Sequence, residues 1–169
     1  MAIVALLAAA VFPSVAAQLR RGQGAATATV MMNIRDAIAA YRTNVTRYPR
    51  TLSQLTNALG VTATESCAGA LTGAQRNAWR GPYLSQFVSG NMTVGDGTVL
   101  DTLIRNPATN GAVAPGTLII RVINVDSIVA ANIERQFDGG SPLDYATGAV
   151  LWSPNGLDTL KFQILIRDC

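Results

Sequence analysis

The chain has 169 residues, of which 49% are hydrophobic and only 14% charged, enough apolar material for one domain with a proper core. The net charge of +3 is carried by scattered arginines, since Lys161 is the only lysine. With aromatics at 6% there is neither a basic block nor a base-stacking platform, and no specific nucleic-acid partner is predicted. Histidine is absent, which removes the commonest general base, the Ser/His and Cys/His nucleophile arrangements and the commonest transition-metal ligand. No closely spaced carboxylate pair, phosphate loop or dinucleotide fingerprint takes their place. The expectation is a protein that is not an enzyme and uses no cofactor.

Met1 to Leu19 carries no charge. Rich in alanine and leucine, it reads as a helix roughly 28 Å long, close to one hydrocarbon thickness. Such a segment must be hidden from water, in a bilayer or against copies of itself. The candidate assembly residues are Ile3, Val4, Leu6, Leu7, Val11, Phe12, Pro13 and Val15. Pro13 lacks an N–H and crowds the preceding turn, so a kink or extended stretch is expected before it. Arg20-Arg21 then closes the apolar zone, where a basic pair suits a membrane surface.

Gly22-Gln23-Gly24 is a weak point, after which helical periodicity resumes. Val30, Ile34, Ile38 and Tyr41 share a face with Met31 beside them, while Asn33, Arg35, Asp36 and Arg42 lie elsewhere. This half, 25–46, is predicted to end by Thr46, because Tyr48-Pro49 cannot continue a helix. A division follows: 1–46 as the N-terminal helix, with its apolar half 1–19, and 47–169 as a globular head.

Within the head, Thr51 is placed as an N-cap and Gly60 as a stop, predicting a helix over 52–59. Residues 60–116, rich in Gly, Thr, Ala and Asn, read as long loops with one or two short strands. Residues 117–125 form the clearest strand, and Asp126-Ser127 caps a helix to about Phe137. Two final strands, 148–153 and 159–167, flank the turn Pro154-Asn155-Gly156. In the last, Leu160, Phe162, Ile164 and Ile166 alternate with Lys161, Gln163 and Arg167, giving one buried and one wet face. The predicted class is α+β, a long N-terminal helix packed on a small antiparallel sheet.

Cys67 and Cys169 are too far apart for a CxxC motif and too few for a zinc site without histidine. Two readings stand: two buried free thiols, or one disulfide in a chain that folds outside the reducing cytosol. A bond at Cys169 would pin the C terminus by closing a loop of about a hundred residues.

The order of these elements resembles the type IV pilin and type II secretion pseudopilin superfamily. Val11-Phe12-Pro13 looks like the family's apolar-apolar-Pro step. Ala40-Tyr41, Arg47-Tyr48-Pro49 and Leu52 look like its tyrosine, Tyr-Pro and leucine pattern at the end of the first helix. Trp79-Arg80-Gly81-Pro82-Tyr83-Leu84 resembles its Trp-x-Gly-Pro-Tyr segment, and Ala130-Ala131 to Ile133, Asp138-Gly139-Gly140 and Gly148 resemble its late helix and Asp-Gly loop. Cys169 sits where many pilins close a C-terminal disulfide loop. The family's leader and early glutamate are not seen in this sequence, where Ala5 holds the fifth position; the expectation is an N terminus shortened relative to the family, the alternative being a subunit that lacks the glutamate.

The resemblance implies a structural subunit of a helical homo-oligomeric filament, held in the inner membrane before assembly and extracellular or periplasmic afterwards. Some pseudopilins bind calcium in a late loop, which makes Asp138 and Asp144 candidate ligands here, although Asp-Gly is first of all a turn signal. Two rival readings share the sequence. Val15-Ala16-Ala17 before Gln18 resembles a signal-peptidase site, which would yield a secreted binding domain or enzyme. A membrane-anchored monomeric periplasmic protein would share the fold without the polymer.

Overall fold

The computed structural model describes residues 2–67, 69–85, 90–95, 97–106, 116–139, 148–154 and 159–166, with side chains from Val15 onward except that of Asn106. Helix α1 spans Ala2–Val45 without interruption. The expected break before Pro13 is therefore corrected, and the helix also continues through the weak point at Gly22-Gln23-Gly24. A proline inside a helix costs about 3 kcal/mol and one hydrogen bond. Strong helix formers on both sides nevertheless favour propagation through it over the unfavourable nucleation of a second helix.

From Gly24 onward α1 buries one stripe: Thr27, Ala28, Met31, Ile34, Ala37, Ile38, Tyr41 and Val45. These positions recur at three and four residues, the spacing of a helix with one apolar face. Arg35 and Asp36 pair at 3.2 Å on the wet side. The helix stops where expected. Thr46 turns left-handed, with φ 62°, and its N–H bonds the Arg42 carbonyl at 2.8 Å.

The short helix α2, Ser53–Thr56, corrects the expectation of 52–59. Its N-cap is Leu52 and not Thr51, whose hydroxyl instead meets Ser53 Oγ at 2.9 Å. The capping acceptor comes from far along the chain: Asp101 Oδ1 accepts the Ser53 N–H at 2.7 Å, and the Asp101 carbonyl accepts that of Leu52 at 2.8 Å.

Residues 60–116 hold more structure than expected. Helix α3, Gly73–Asn77, starts with a reciprocal capping box between Thr72 and Gln75. Strands β1 (Met92–Val94), β2 (Gly97–Val99) and β3 (Ile104–Asn106) follow. Then come β4 (Gly116–Ile123), helix α4 (Ser127–Asp138), β5 (Val150–Ser153) and β6 (Thr159–Ile166). Helix α4 begins as read: the Asp126 carboxylate accepts the Ile128 N–H at 2.8 Å. It ends at Gly139 in the left-handed region, φ 64°, where a residue without Cβ is favoured.

The six strands form one antiparallel sheet in the order β1-β2-β4-β6-β5, with β3 also paired to β4. Cross-strand pairs Leu118–Ile164, Ile120–Phe162 and Val122–Leu160 put matching residues on the inner face. Leu118, Ile120, Val122, Leu160 and Phe162 are buried there in one core with the α1 stripe and with Val129, Ala130 and Ile133 of α4. Residues 24–45 of α1 are thus part of the head's core, and the α+β architecture holds.

Candidate assembly surface

N-terminal to Gly24 the character of α1 changes. Residues 15–22 are all exposed, with Val15 at 47% and Leu19 at 64%. The helix carries on, but the head no longer covers it. Two shallow grooves flank this stretch. One, about 450 Å³, lies between the helix and the β1–β2 turn and is lined by Val15, Leu19, Gly22, Ala26 and Gly95. The other, about 390 Å³, lies toward α4 and is lined by Ala16, Ala17, Arg20, Arg21, Ile128 and Asn132. Small side chains line both, with the apolar Val15 and Leu19 beside one and Ile128 beside the other.

Of the assembly residues read from the sequence, Val15 is placed at the start of this surface. The side chains of Ile3, Val4, Leu6, Leu7, Val11, Phe12 and Pro13 lie outside the described residues, though their backbone belongs to α1. Among the described residues, no helix is long and apolar enough to cross a membrane. Two exposed apolar side chains of this surface, Leu19 and Ile128, were not among the assembly residues read from the sequence. Leu19 was legible as the last apolar residue before Arg20. Ile128, 48% exposed, is brought beside residues 16–21 only by the packing of α4 on α1, and no local pattern signals that.

The other end of α1 is fixed by the aromatic segment. Tyr83 packs edge-on against Tyr41 with centroids 5.8 Å apart, and against Trp79 at 5.7 Å. Trp79 Nε1 donates to the Gln54 carbonyl at 2.9 Å, and the Tyr83 N–H donates to Leu55 at 2.7 Å. Asn44 Nδ2 donates to the Tyr83 hydroxyl at 3.0 Å. A Cβ on Gly81 would sit 2.5 Å from the Trp79 ring, so this close approach requires glycine. The segment clamps α2 onto the end of the long helix. Tyr41 itself is buried, and its hydroxyl makes no hydrogen bond among the described residues. Burial first, then Tyr83 and Glu65, push its phenol well above the usual range.

Cys67 is disulfide-bonded, and Cys169, the only other cysteine of the chain, lies outside the described residues. Cys67 sits at the tip of a tight turn closed by the bridge between Thr64 and Ala70. The turn is fastened to the Tyr-Pro corner by the bridge between Pro49 and Glu65 and by Ser66 Oγ donating to the Pro49 carbonyl.

Asp138 has a structural use that the calcium reading did not foresee. Its two oxygens accept the N–H groups of Ala149 at 2.8 Å and Val150 at 3.0 Å, tying the end of α4 to the start of β5. Asp144 lies outside the described residues. Among the described residues no group of three or more His, Cys, Asp or Glu is placed to hold a metal ion.

Comparison with protein-family models, with curated proteins and with solved structures gives no match.

Proposed function

We propose that this chain is the structural subunit of a filament of the type IV pilus or pseudopilus kind, polymerising through its N-terminal helix. The observation that carries the reading is the division of α1 at Gly24. C-terminal to it, one stripe is sealed in the head. N-terminal to it, residues 15–22 are exposed, and the whole run 1–19 is uncharged. A helix of that composition projecting from a folded head is disfavoured in water and is covered by equivalent helices of neighbouring subunits. The heads then form the outer shell. Each of Ile3, Val4, Leu6, Leu7, Val11, Phe12 and Val15 contributes roughly 1.5–3 kcal/mol when fully buried.

The role is mechanical. A helix tied into the head by the Tyr41–Tyr83–Trp79 aromatic contacts passes load from the core to the shell, and the Cys67 disulfide braces the shell against shear. Electron microscopy of purified material tests the reading directly. Filaments are expected from the wild-type chain and none from Leu7→Arg, which would place an unpaired charge in the core of every subunit repeat. Normal filaments from that variant would refute the proposal, and a wild-type chain that stays monomeric in a membrane would favour the anchored-monomer reading.

A further inference from the structure

The groove on the α4 side of α1 differs in chemistry from the apolar one. Arg20 and Arg21 line it from the helix and Ile128 from the first turn of α4, together with Ala16, Ala17 and Asn132. Both arginines are exposed, and neither makes a hydrogen bond or ion pair with any other described residue. Asp126, the acid nearest in sequence to Ile128, already spends a carboxylate oxygen on the Ile128 N–H. Two cations without partners therefore stand beside an apolar side chain that is 48% exposed. They do so at the point where an uncharged run of nineteen residues ends. Cations beside an exposed apolar side chain in one groove match the mixed charge and polarity of an anionic bilayer surface.

We infer that residues 16–21 of α1 and Ile128 of α4 form a seat for an anionic bilayer surface, holding the head against the membrane before assembly. The inference rests on the proposal that the uncharged segment occupies a bilayer at that stage. It adds a contact from a second element of the head, one that fixes the tilt of the head on the membrane. Arg20 and Arg21 supply attraction to lipid phosphates and Ile128 supplies shallow apolar insertion. Assembly has to withdraw both from the bilayer, so the seat and the neighbouring helix compete for the same stretch of α1.

The test uses the full chain carrying Ile128→Cys labelled with an environment-sensitive fluorophore, which is selective because Cys67 is already disulfide-bonded. The labelled protein is reconstituted into vesicles of phosphatidylcholine alone or of phosphatidylcholine with phosphatidylglycerol. The emission is expected to brighten and move to the blue only in the anionic vesicles. There the docking constant of the head rises about thirtyfold, the combined effect of two basic side chains at an anionic surface. Arg20→Gln with Arg21→Gln should remove the difference, and molar salt should suppress it. Both substitutions are at exposed positions, and an unchanged melting temperature confirms that the head remains folded. Equal emission in the two vesicle types, or a blue shift that survives the double substitution, would overturn the inference. If wild-type filaments form while the label stays in water in both vesicles, the seat alone fails. If the label docks but no filament ever forms, the filament reading fails and the seat stands.

Discussion

Ile34→Ala separates the two halves of α1 by their energetics. Ile34 is fully buried in the core shared by α1, α4 and the sheet. Truncation to alanine removes about three methylene equivalents from an apolar site, a transfer loss of about 2.4 kcal/mol. The cavity left behind, at most roughly 80 Å³, adds up to about 2 kcal/mol if the surroundings do not relax. Partial collapse brings the sum to about 3–4 kcal/mol, or a fall in melting temperature of about 10 °C for a chain of this size. Leu19→Ala deletes a comparable group at a position 64% exposed, so it should change head stability by less than about 0.5 kcal/mol while weakening filaments. Urea unfolding of detergent-solubilised subunits, followed by the fluorescence of buried Trp152, gives the first quantity. Sedimentation of polymer gives the second. A loss below about 1 kcal/mol for Ile34→Ala, or an equal loss for Leu19→Ala, would refute the division of the helix.

Tyr41→Phe should leave stability at neutral pH unchanged or slightly improved, because the hydroxyl it deletes is buried without a hydrogen-bond partner among the described residues. The wild-type phenol is held above its ordinary value, so the native state keeps a proton that the unfolded state releases above about pH 10. Stability therefore falls as pH rises past that point, and the Phe variant should lose the part of the decline due to this residue; matching denaturation curves for both proteins at pH 11 would contradict this. Asp138→Ala strips the acceptor from the Ala149 and Val150 N–H groups and should cost about 1–2 kcal/mol after allowance for its exposure. Faster amide exchange at those two residues should accompany the loss, and unaltered exchange would show the carboxylate to be dispensable. Reduction of the Cys67 disulfide should lower stability by about 2–5 kcal/mol, measured as a drop in the urea midpoint, and thiol titration of the unreduced, denatured chain should find no free thiol.

What the sequence alone decided was whatever rests on neighbours within a turn or two of chain. The stripe Met31, Ile34, Ile38 and Tyr41 gave the buried face of α1 because three- and four-residue spacing is itself the geometry of a helix face. Asp126 and Gly139 bounded α4 for the same local reason, and alternation gave the inner face of β6. The capping box at Thr72 and Gln75 was equally legible and would have located α3. Pro13 is the opposite case, a strong local rule overruled by the helix formers on either side.

Other features depend on chain segments that meet only after folding. Asp101 caps α2 from 48 residues away, so no reading of Thr51 to Gly60 could set the limits of that helix. Asp138 spends its carboxylate on the start of β5, and Ile128 reaches Arg20 and Arg21 only because α4 lies across α1. The uncharged N-terminal run was legible in the sequence as the surface that the proposed filament would cover. Where that surface begins, at Gly24, was decided by the reach of the head, since burial of one helix face is set by the elements packed against it and not by the helix's own residues.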